Sequence, residues 1–152
     1  QVNINVISLM KEPSNHTIAV MRIWMSSAIL SRKISAGLGA VHGIGFIEYM
    51  VLFHLINAPN KGLRRIDLAN AIGRTASGVT RMLRPMEKIG LVKKESSPRD
   101  RRVSLVKPTA AGEQIFLEAS ATLSNQATHL LRHVDANAIK ALLKILDDIT
   151  GE

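Results

Sequence analysis

Apolar residues return at intervals of three and four over most of this chain, and breaks in that rhythm divide it into helices and one pair of strands. Gln1 to Leu9 differs: Val2, Ile4 and Val6 alternate with polar residues, as in a short strand or an arm laid across a partner. Pro13 and Ser14 mark a break, and Ser14 or Asn15 is placed to cap the next helix. From His16 to about Ala36, a helical stripe of Ile18, Met21, Met25 and Ile29 is widened by Ile23, Trp24 and Leu30. So broad a stripe predicts packing against both its own domain and a partner subunit. Gly37 to Gly45 carries four glycines and predicts a flexible corner between helices. No strand precedes it and no Lys-Ser/Thr pair comes after it, so the phosphate-loop reading fails. Ile44 to Asn57 is apolar nearly all round apart from Glu48 and His54, as expected of a buried core helix, and Asn57-Ala-Pro-Asn60 ends it.

The next stretch, Arg64 to Pro108, has the order of a helix-turn-helix followed by a wing. Ile66 to Ile72 predicts a first helix held to the core by Leu68, Ala69 and Ile72. Gly73 falls where a helix end favours left-handed backbone, and Thr75 is an N-cap for a second helix. In that helix Val79, Leu83 and Met86 turn inward at spacings of four and three, so Ala76, Ser77, Thr80, Arg81 and Arg84 turn outward. Pro85 withholds a donor from the Arg81 carbonyl, which predicts a kink or a tightened last turn. Leu91 to Ser97 and Val103 to Lys107 predict two short strands joined through Pro98-Arg99-Asp100-Arg101-Arg102.

After the wing, Thr109 is placed to cap a long helix to about Leu131. Phe116, Ala119, Leu123, Gln126 or Ala127, Leu130 and Val134 make a seam suited to helix pairing. Asp135 then caps a last helix with Ile139, Leu142, Leu143, Leu146 and Ile149 on one side. Residues 1–152 therefore read as one unit, mainly α with a small β-wing. Residues 14–57 and 109–150 form a helical dimerisation frame, and residues 61–108 the winged helix-turn-helix.

Charge sharpens this picture. The net charge is +8, yet Lys61 to Lys107 alone holds 13 Lys or Arg against four acids, so all the excess lies in the helix-turn-helix and wing. Such a local field attracts phosphate backbones. Arginines at a ribbon tip suit a narrow minor groove, whereas a tip without aromatics does not favour stacking on single-stranded bases. The absence of cysteine excludes a disulfide framework and a thiolate zinc site. No run of about 18 apolar residues predicts a membrane span. The first residues lack the order of a secretory signal, so a cytoplasmic location is expected.

From Asp67 to Gly112 the sequence resembles the winged-helix core of the MarR family of regulators. The resemblance is carried by the VTR step at Val79 to Arg81 and the EKxGLV turn at Glu87 to Val92. The PRDRR wing and the TxAG helix start at Thr109 to Gly112 complete it. It implies a homodimer, usually a repressor, on a palindromic double-stranded operator. Recognition helices would occupy successive major grooves about 34–36 Å apart, with wings in the flanking minor grooves. By position, Ser77, Thr80 and Arg81 would contact the major groove, and Arg102 would be the wing arginine oriented by Asp100. Arg74, Thr75, Arg84, Lys93, Arg99 and Arg101 complete the expected DNA-binding set. The family commonly has an acid where Arg84 stands and a basic residue where Pro85 stands. A pairing of Arg84 with Asp100 is therefore expected to replace the usual acid-to-wing contact.

The family also implies a small-molecule effector, often a small anionic aromatic, in a crevice between frame and reading head. Trp24, Tyr49, Met50 and His54 are candidates to line it, although such residues on buried helices more often serve as core. His129 and His133 share a helical face without a glutamate between them, and with His16, His42 and His54 they form no metal-ligand spacing. No cofactor, metal or catalytic group is expected. Two alternatives stand beside the regulator: a winged-helix protein-interaction module and a metal-responsive regulator.

Overall fold

A computed structural model of the protein describes residues 13–96 and 103–151. The expected N-terminal arm and the basic wing tip lie outside these residues. In chain order the elements are α1 (Asn15–His42), α2 (Phe46–Asn57), a 3-10 turn at Pro59–Lys61 and β1 (Leu63–Arg64). Then come α3 (Arg65–Ala71), α4 (Ala76–Lys88), β2 (Val92–Ser96), β3 (Ser104–Pro108), α5 (Ala110–Leu130) and α6 (Ala136–Thr150). The fold is mainly helical, with one small antiparallel sheet in the order β1-β3-β2.

Four helices begin on side-chain caps read from the sequence. Ser14, Thr75, Thr109 and Asp135 accept hydrogen bonds from the backbone N–H groups of Thr17, Gly78, Gly112 and the Asn137–Ala138 pair. Each satisfies a donor that the first helical turn would otherwise leave open. The predicted wing strands pair with Lys94 opposite Val106 and Val92 opposite Pro108. The third strand, β1, has no counterpart in the sequence pattern. Only two residues long, it offers no alternation to read, and it exists because Leu63 and Arg64 pair with Val106 and Leu105 of β3.

The corner between α1 and α2 is shorter than the four glycines predict. α1 continues through Gly37 and Gly39 and ends at Gly43, which adopts φ 69°. Packing overrides the weak helix preference of glycine here. A β-carbon at Gly37 would collide with the side-chain amide of Gln126 on α5, so this glycine lets two helices approach rather than breaking one. α2 leaves the corner at 80° to α1 and becomes the hub of the core. Its Val51, Leu52 and Leu55 are fully enclosed, together with Leu38 of α1, Leu68 of α3, and Val79, Leu83 and Met86 of α4.

The apolar seam of α5 pairs within the chain. Ala119 is buried, and Phe116, Leu123 and Leu130 pack against the core formed with α1 and α2. α6 has no buried residue, and Leu142, Leu143 and Ile149 are exposed. The first half of α1 is equally bare: Trp24 is 71% exposed and Met21 and Met25 are more than half exposed.

Candidate nucleic-acid interface

α4 is amphipathic in the sense the sequence predicts, and the core fixes its rotation. Val79, Leu83 and Met86 are 0–1% exposed, which turns Ser77, Arg81 and Arg84 to solvent and leaves Thr80 half-buried. The helix runs on through Pro85, which is exposed and so leaves its missing hydrogen bond on the solvent side. The last turn tightens beyond it, where the Gly90 N–H donates to the Glu87 carbonyl at 3.1 Å. Gly73, at φ 61°, makes the turn that sets α4 across α3.

Ala76, Ser77, Thr80, Arg81 and Arg84 line one open depression, together with Arg65 from α3. Sequence reasoning misses Arg65 as a site residue. The signal lies in the Arg64-Arg65 doublet, but only the fold shows which of the two faces α4. The hydroxyls are partly committed. Thr80 Oγ1 donates to the Ala76 carbonyl at 2.8 Å, and Thr75 Oγ1, which receives the Gly78 N–H, lies 3.2 Å from Ser77 Oγ. Thr80 therefore has its donor already used and keeps only acceptor capacity on its hydroxyl oxygen.

The cations divide into paired and unpaired. Arg64 donates to both Asp67 oxygens, at 2.6 and 2.8 Å. These hydrogen bonds hold the Asp67 carboxyl below the usual carboxylate range. Lys61 meets Glu113 at 2.8 Å and Lys94 meets Glu87 at 3.0 Å. Glu95 lies between Lys107 at 3.2 Å and Lys93 at 3.5 Å, and its pKa is lowered chiefly by the Lys107 hydrogen bond. Arg65, Arg74, Arg81, Arg84 and Lys88 have no carboxylate partner among the described residues.

Other expected residues separate. Lys93 is exposed on β2, away from the α4 depression. Arg74 lines a second cleft, between α1, α2 and the helix-turn-helix, with Trp24, Arg32, Phe46, Met50 and Ile72. Of the four candidate effector contacts, Trp24 and Met50 are in that cleft and Tyr49 and His54 are not. Tyr49 is buried, with its ring 5.1 Å from Phe116 and its hydroxyl 3.1 Å from Ser120 Oγ. His54 packs edge-on against Phe53. Arg99, Asp100, Arg101 and Arg102 lie outside the described residues, and with them the expected Arg84–Asp100 pair. No three His, Asp or Glu side chains gather as a metal site among the described residues.

Residues 48–104, from within α2 to the first residue of β3, match the MarR family. The matched segment contains every described residue of the α4 depression. The likeness of fold extends to the flanking helices. The transcriptional regulator BldR from Sulfolobus solfataricus superposes with a TM-score of 0.82 at 23% identity, over 93% of this chain and 99% of that one. A MarR family transcriptional regulator from Streptomyces coelicolor, solved in complex with DNA, gives 0.79 at 20% identity over 93% and 90%. A mutant MarR from E. coli, complexed with operator DNA, gives 0.78 at 22% identity over 91% and 99%. Among the described residues no single helix is long and apolar enough to cross a membrane.

Proposed function

We propose that this protein is a homodimeric transcriptional regulator that represses by binding a palindromic double-stranded operator. One observation carries the reading. α4 is locked to the core by Val79, Leu83 and Met86, while Ser77, Thr80, Arg81 and Arg84 meet in one open depression on its far side. A rigid helix with guanidinium groups and hydroxyls on one face suits a major groove. The family match and the two DNA-bound structures of similar fold support it. The bare apolar faces of α1 and α6 support a second copy as the partner.

Binding to a selected duplex and to a scrambled duplex, each titrated with salt, tests the proposal. Both affinities fall with salt, and the selected duplex keeps an advantage. Arg81→Ala shrinks that advantage, a bidentate arginine–guanine contact being worth about 1–3 kcal/mol of discrimination. A protein indifferent to both duplexes at low salt would overturn the reading and favour a protein-interaction module.

The cleft holding Trp24, Arg32, Met50 and Arg74 supports relief of repression by a small aromatic anion, since an indole and two guanidinium groups line one opening. A thermal-shift titration with benzoate, and separately with zinc, tests this. Stabilisation by benzoate alone supports the effector, and stabilisation by zinc alone supports a metal-responsive regulator instead.

A further inference from the structure

Arg64 and Arg65 are neighbours at the start of α3, but their environments differ. Arg64 is held by Asp67 through two hydrogen bonds, so each neutralises the other. Arg65 is exposed and has no carboxylate partner among the described residues. Its side chain borders two depressions. One is the α4 surface with Ser77, Thr80, Arg81 and Arg84. The other lies at the foot of the wing, lined also by Ile66, Lys94, Val103 and Ser104. Arg65 and Ala76 are the residues common to both, so Arg65 is the one cation shared between them among the described residues.

A duplex read by α4 in one groove and met by the wing in the next must pass a run of phosphates over the ridge between them. Arg65 stands on that ridge. Lys94 and Arg64, the other cations at the wing's foot, are already engaged by Glu87 at 3.0 Å and by Asp67 at 2.6 Å, whereas Ser104 offers a hydroxyl nearby. We infer that Arg65 grips a backbone phosphodiester between the two grooves and so fixes the register of α4 against the wing. This rests on the reading of α4 as the groove-entering helix. A guanidinium suits the task because its planar fork can hold two phosphate oxygens at once.

The test compares the full chain with Arg65→Ala and Arg65→Lys on a duplex selected by the unaltered protein and on a scrambled duplex. Per reading head, Arg65→Ala lowers the slope of log affinity against log salt by about 0.9 and weakens both duplexes alike, about five-fold at 0.15 M salt. Arg65→Lys restores the slope. An unchanged thermal midpoint shows that the fold is intact, as expected for an exposed side chain. If the unaltered protein binds with steep salt dependence and Arg65→Ala matches it in slope and affinity, the Arg65 assignment fails while the function stands. A loss confined to the selected duplex assigns Arg65 to a base and also overturns it, as does a lysine that fails to restore the slope. If the unaltered protein binds no duplex, both readings fall.

Discussion

The carbonyl of Leu91 lies against the α-carbon of Gly112, so close that a β-carbon on residue 112 would overlap its oxygen. Thr109 reinforces the junction. Its N–H donates to the same Leu91 carbonyl at 3.0 Å, and its hydroxyl reaches the Gly90 carbonyl at 2.5 Å. The turn after α4 and the start of α5 are thereby joined through backbone groups that cannot repack.

Gly112→Ala is therefore expected to destabilise the protein by about 1–3 kcal/mol, the range for overpacking a filled site. A β-carbon at Gly39, by contrast, meets nothing within 4 Å, and the residue is exposed within α1. Gly39→Ala should stabilise by about 0.4–1 kcal/mol through the unfolded chain. Urea unfolding at fixed protein concentration checks both, and equal effects of the two substitutions would contradict the packing argument.

Thr109→Ala removes the Gly112 cap and the Gly90 contact together. A loss of about 0.5–2 kcal/mol is expected from the cap. Serine at this position keeps the hydroxyl and should recover most of it in the same unfolding experiment.

Thr80 turns its donor back onto Ala76, so in the proposed complex it has no hydroxyl proton left for a base edge, and its methyl is the group suited to a thymine methyl. Thr80→Val should then preserve sequence preference better than Thr80→Ala, as read by competition between selected and scrambled duplexes. Lys93→Ala should instead weaken both duplexes equally, the outcome expected of an exposed cation that meets phosphate and no base edge in the proposed complex.

Acid should weaken the fold partly through Asp67 and Glu95. Both carboxyls titrate below their ordinary values of 3.8 and 4.5, held there first by the hydrogen bonds from Arg64 and Lys107. In that window the unfolded chain binds more protons than the folded one. The stability they contribute is complete above the ordinary values and is lost as pH falls through the lowered ones. Asp67→Asn and Glu95→Gln should flatten the acid limb of a urea-midpoint profile. The effect should be small and shrink further in salt, most of all for the exposed Arg64–Asp67 pair and less for the part-buried Lys107–Glu95 pair.

The sequence is most legible where chemistry is local. Caps at Ser14, Thr75, Thr109 and Asp135 depend on one side chain and the next turn, and Val79, Leu83 and Met86 announce their face by spacing alone. What it conceals depends on distant partners. Gly37 resembles a breaker until Gln126, from a helix much later in the chain, is placed against it. β1 needs β3 to exist, and the difference between Arg64 and Arg65 needs α4 and the wing. The same holds for the effector candidates. Tyr49 and Trp24 are both aromatics on apolar helices, yet one is sealed beneath Phe116 and the other opens to solvent.

The helix from Ala136 to Thr150 buries no residue of its own, although Leu143 is 55% and Ile149 62% exposed. In a dimer closed over that face, dilution would act as a denaturant. The melting temperature would climb with protein concentration, and the occupancy of an operator would report how much of the protein the cell contains as well as which bases lie beneath it.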